Sequence, residues 1–205
     1  MATVGDADVP GRDVVDRIAC WGVRAAWTAA LAGAVTNLID FRVYGLRVRL
    51  LDMTTHASVF GAVSLLALAG ASGMAALLAG RTRRTLGALV LPLLLAALLV
   101  LRVFHPSHVF LLALPIAAAT FAVLWQYGAA SASPARRLIR AGCGTLAVSY
   151  VVHASGGSIV ATPAYGTGSW PYELKEVLAH SSELAGWIVV AAGLAAAFAA
   201  LTRSE

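Results

Sequence analysis

The chain is predicted to be an all-α, polytopic membrane helix bundle. Three observations carry this: 60% of the 205 residues are apolar, only 12% are charged, and the mean hydropathy is +0.80. A soluble domain does not tolerate that balance, because too few polar side chains remain to cover it. The bundle should have six transmembrane helices, or five if the first is not inserted. Residues 1–17 form a short tail, and 18–205 form a single transmembrane domain with extracytoplasmic segments at 40–52, 103–108 and 154–172.

The tail carries Asp6, Asp8, Asp13 and Asp16 and is interrupted by Pro10. It lacks the basic and apolar regions of a cleaved signal peptide, so the first hydrophobic helix is expected to act as its own signal anchor. That helix, 18–39, is the weakest of the spans because Arg24, Thr28, Thr36 and Asn37 interrupt it. In 40–52, Leu46, Val48 and Leu50 alternate with Arg47 and Arg49, which reads as a short strand or an interfacial segment.

The second span, 53–79, has small residues at Gly61, Ser64, Gly70, Gly73 and Ala76 that would let a neighbouring helix approach closely. The third and fourth, 85–103 and 107–126, contain Pro92 and Pro115, which membrane helices accommodate where neighbours satisfy the freed carbonyls. The fifth is short, 138–153, and a Gly/Ser/Thr/Pro-rich stretch follows it. Pro171 suits the first turn of the sixth helix, whose apolar run extends from Val177 to Leu201.

Arginine placement gives the orientation. With six spans and both termini cytoplasmic, Arg12, Arg17, Arg24, Arg81, Arg83, Arg84, Arg136, Arg137, Arg140 and Arg203 lie inside, against Arg42, Arg47, Arg49, Arg102 and Lys175 outside. The net charge of +5 therefore reflects membrane topology and not nucleic-acid binding. Cys20 and Cys143 have no ligand-like spacing and read as reduced structural thiols.

The same topology places His56, His105, His108, His153 and His180 at the outer side. The stretch WPYELKEVLAHSSELAGW sets Glu173, Glu176, His180, Glu183 and Trp187 within an arc of about 80° at about 100° per residue. His180 and Glu183 lie within the hydrophobic run, where an ionisable group is costly without a partner or a task. Imidazole and carboxylate donors from several helices suit zinc, iron or copper. The expected ligands are His56, His180 and Glu183, with Asp52 and His153 as further donors. Glu176 is the expected general base, and Arg47 and Arg49 the groups that orient an anionic substrate.

Bland readings accompany these. Glu173 is a first-turn acid favoured by the helix macrodipole, and Asp52 a helix N-cap competing with Thr54 and Thr55. His105 and His108, which flank Pro106, read equally as interfacial side chains. The leading expectation is metal-dependent hydrolytic or redox chemistry on a lipid or other hydrophobic substrate. The alternatives are a non-catalytic accessory subunit bound to a protein partner, a b-type haem subunit using His56 with His180, and a proton-coupled transporter with His180 and Glu183 as relay.

Overall fold

The structure, a computed structural model, describes residues 12–44, 58–82, 86–104, 110–131, 133–159 and 169–202. These form the helices α1 (Arg12–Ile39), α2 (Val59–Thr82), α3 (Leu86–Phe104), α4 (Phe110–Ala130), α5 (Ser133–Ile159) and α6 (Trp170–Leu201). A π-helical turn, Asp40–Tyr44, continues α1, and no strand occurs among the described residues. The all-helical expectation therefore holds for them. The strand-or-interfacial reading of 40–52 gives way to helix over its first five residues, 40–44; the alternating part lies outside the described residues.

Element boundaries shift in informative ways. Helix α1 starts at Arg12, inside the expected tail, where Arg17 and Asp13 form an exposed i,i+4 ion pair at 2.7 Å. Ser58 caps α2, its Oγ accepting the Gly61 N–H at 2.9 Å; Asp52, Thr54 and Thr55, read as cap candidates, lie outside the described residues. Helix α3 includes residues 103–104 of the expected third-to-fourth connection. Helix α5 extends through Ile159, six residues past His153 and into the expected loop. At its other end the turn from α4 is closed by the Arg136 guanidinium, which donates to the Ser131 carbonyl at 3.0 and 3.2 Å.

Helix α6 is the axis of the fold, packing against α5, α1 and α2. Its contacts with α5 run through glycine. A Cβ on Gly142 would lie 2.9 Å from the Val190 backbone nitrogen, one on Gly186 would lie 2.7 Å from Leu146 Cγ, and one on Gly193 3.0 Å from the Ile139 nitrogen. Small residues at such positions let two backbones approach, the main source of helix affinity where apolar surroundings supply no hydrophobic drive. The pairs Ile139/Gly193 and His153/His180 show α5 and α6 to be antiparallel. Gly22 fits against Ala192, and Phe41 meets Trp170 edge-on at 5.0 Å, so α1 is antiparallel to α6 as well. The remaining neighbours, α2 with α3, α3 with α4 and α4 with α5, close a ring of five helices with α1 outside it against α6.

The close approach expected along α2 is realised only in part. Gly61 and Ser64 are buried, but Ala76 is exposed and a Cβ on Gly70 or Gly73 would meet nothing within 4 Å. The buried stripe continues instead through Leu68, Ala71, Ala75 and Leu78.

Large apolar side chains cover the outside: Trp27 is 74% exposed, Leu93 71%, Leu66 70% and Val151 62%. Exposed apolar side chains of this size are what a bilayer covers. Among the described residues, three helical stretches are long and apolar enough to cross a membrane: Asp13–Val43, Val59–Thr82 and Trp170–Leu201. Leu89–Val103 and Leu114–Ala130 are shorter apolar helices. Helix α5 meets neither description, its composition diluted by Arg136, Arg137, Arg140 and a Gly/Ser-rich end.

Candidate metal centre

Heptad spacing on α6 carries Glu173, Glu176, His180, Glu183, Trp187, Val190 and Leu194 along one face. That face points inward: Glu173 is 2% exposed, Glu176 8%, Glu183 9% and Trp187 6%. Helix α5 presents an equivalent stripe, Ala135, Ile139, Gly142, Leu146, Ser149 and His153, buried over most of its length. Antiparallel packing of the two stripes brings His153 onto His180, with ring centroids 5.0 Å apart and planes at 77°. A third stripe completes the site. Leu91, Leu95 and Leu98 bury one face of α3, and Arg102 is the next residue along it.

Arg102 closes on Glu183 as a two-pronged fork: Nη1 lies 2.7 Å from Oε1, and Nη2 donates to Oε2 at 2.7 Å. A planar guanidinium matches a carboxylate in this way, and the paired charges compensate each other's burial. In the sequence Arg102 stands out only as one of the outer positive charges. The signal that marks it is its heptad register with three buried leucines.

Glu176, the expected general base, is engaged at both carboxylate oxygens. Lys175 donates to its Oε1, and its Oε2 lies 3.2 Å from His180 Nε2. The other imidazole nitrogen, Nδ1, faces Glu183 Oε2 at 3.7 Å. His180 is therefore gripped from one side by Glu176 and presents Nδ1 to Glu183, with the His153 ring against its own. One ligand atom from each of His153, His180 and Glu183 lies within 4.8 Å of the others. Two imidazoles and one carboxylate make a compact donor set. Because each carboxylate oxygen has two lone-pair directions, Glu183 can hold the Arg102 fork and still offer a ligand.

The structure thus unites three of the expected residues, His153, His180 and Glu183, with Glu176 behind them. Arg47, Arg49, Asp52, His56, His105 and His108 lie outside the described residues. Glu173, read as a first-turn acid, does occupy the first turn of α6 but is nearly fully buried. Asp40 is fully buried, and neither of its carboxylate oxygens has a hydrogen-bond partner among the described residues.

No protein-family model, curated protein or solved structure matches the chain.

Proposed function

We propose that this chain is a multi-pass membrane protein of six spans, both termini cytoplasmic, that binds a transition metal for chemistry on a lipid or other hydrophobic substrate. The observation that carries the reading is the convergence of His153, His180 and Glu183 donor atoms within 4.8 Å. Two histidines and a carboxylate leave coordination positions open for water or substrate, the composition of many catalytic zinc sites and of non-haem iron sites. Glu176 then serves as the group that fixes the His180 ring, as outer carboxylates commonly do for metal-bound imidazole, and Arg102 fixes Glu183. A metal held here would polarise bound water or a substrate oxygen.

A haem ligated by His153 and His180 together does not fit, since rings in edge contact leave no space for a porphyrin between them. The charge balance supports a second reading. Arg102 with Glu183, and Lys175 with Glu176, already neutralise one another, as a purely structural polar network in an accessory subunit would require. Elemental analysis separates the two readings. Purified protein should contain stoichiometric zinc, iron or copper that is lost in His180→Ala and reduced in His153→Ala. Metal-free protein that remains folded after exposure to each of these ions would end the enzyme reading and leave the structural one.

A further inference from the structure

We infer that the cleft between α4 and α5 holds one hydrocarbon chain of a bilayer lipid, with the lipid's polar end at the His153–His180–Glu183 site. The inference rests on the functional reading above and specifies its substrate as chain-bearing lipid.

Helices α4 and α5 touch at the ends joined by their short turn. There a Cβ on Gly128 would lie 3.0 Å from Ile139, and the Arg140 guanidinium lies 5.1 Å over the Trp125 ring. Between their other halves is a cavity of about 260 Å³, lined by Leu98, Phe121, Leu124, Leu146, Tyr150 and Trp187 among others. That volume is just below the ~300 Å³ at which small-molecule pockets commonly begin, so it suits one chain and not a head group.

The lining settles the chemistry. Among the described lining residues Thr120 is the one aliphatic hydroxyl, and it donates to its own helix at the Ile116 carbonyl, 2.7 Å away. The floor is buried, with Leu124 1% and Leu146 5% exposed. The rim is open, with Val151 62% and Leu114 49% exposed on the apolar exterior. Trp187 lies ten residues beyond Val177, about 15 Å along the helix. At that depth an apolar cleft with an open side is reached by acyl chains and not by water-soluble ligands.

One end of the cleft is polar. Trp187 is one helical turn from Glu183, and Leu98 is one turn from Arg102. Tyr150 lies within electrostatic range of both charged groups. The Arg102 Nε–H is buried and has no hydrogen-bond partner among the described residues, although both terminal nitrogens hold Glu183. A phosphate or ester oxygen at the head of the chain would complete it.

The test uses the full chain in phosphatidylcholine vesicles doped with phosphatidylcholine carrying a diazirine either near the head-group end or near the terminus of one acyl chain. After illumination, labelled residues are mapped by mass spectrometry, and metal content is measured on the same preparation. Terminal diazirine should label Leu124 and Leu146, and head-proximal diazirine should label Tyr150 and Val151. Filling the cleft with Ala147→Trp or, independently, Ala117→Phe should lower Leu124 labelling at least tenfold, while Leu93→Trp on the exposed exterior should not. Absence of label at Leu124 and Leu146, label independent of diazirine position, or label unaffected by both filling variants overturns the inference. Metal without cleft labelling sinks the chain site and leaves the metal reading standing; cleft labelling without metal does the reverse.

Discussion

Arg102 and Glu183 come from helices that are not neighbours in the chain, and the pair is mostly secluded, with the side chains 25% and 12% exposed. Removing one member strands the other as an uncompensated buried charge, which costs roughly 3–5 kcal/mol, whereas removing both in favour of apolar groups of similar size is often neutral or stabilising. Arg102→Met should therefore lower the unfolding midpoint of detergent-solubilised protein sharply, and Arg102→Met/Glu183→Leu should recover most of the loss. A double variant as unstable as the single one would show that the fork does more than balance charge. The α6 member of this pair was legible in the sequence because an acid stripe within an apolar run has no solvent to face. Its partner was not, because a single arginine near the end of a span is what membrane topology alone would place there. Only the register of Leu91, Leu95 and Leu98 distinguishes the two, and that register says which face is inward without saying what it meets.

Between elements, backbone proximity decides where a methyl group can be added. The Cβ of an alanine at position 142 would fall 2.7 Å from Val190 Cγ2, 2.9 Å from the Val190 nitrogen and 3.0 Å from the Gly186 carbonyl oxygen. Two of those three atoms are backbone, so α5 and α6 would have to separate, and overpacking of this kind costs about 1–3 kcal/mol. Gly70, on α2, has no such neighbour within 4 Å, and replacing a mid-helix glycine with alanine there should add about 0.5–1 kcal/mol. Gly142→Ala should thus melt lower than the parent and Gly70→Ala slightly higher; shifts of equal sign would refute the assigned interface. The small residues of α2 stand out in the sequence because they form a visible cluster. The α5–α6 glycines matter because of what lies opposite them, a tertiary property absent from the periodicity of either helix. The same limit applies to the long α5, whose Gly/Ser-rich end has the composition of a loop and is nonetheless helical.

Across the whole molecule, antiparallel packing decides how many helices cross. Helix α6 has the length and apolarity to span, and α1 accompanies it in the opposite direction from Gly22/Ala192 to Phe41/Trp170. Helix α5 does the same from Ile139/Gly193 to His153/His180, so it should cross with α6 although its composition alone does not qualify it. Charge then sets the direction. Arg17, Arg81, Arg136 and Arg137 gather at one end of the bundle, while at the other Arg102 and Lys175 are each paired with a carboxylate, leaving exposed Arg42 as the main contribution to positive charge among the described residues there. With Cys20 and Cys143 replaced by serine, a cysteine at Ser169 should react with a membrane-impermeant maleimide on intact cells, and one at Ser131 only after permeabilisation. Because α5 lies between these positions, labelling of both from the same side would mean that α5 does not cross. Reversed accessibility would invert the bundle and place the candidate metal centre toward the cytoplasm. An N-terminal tag protected on intact cells would show α1 inserted as the sixth span, and an accessible one would leave five.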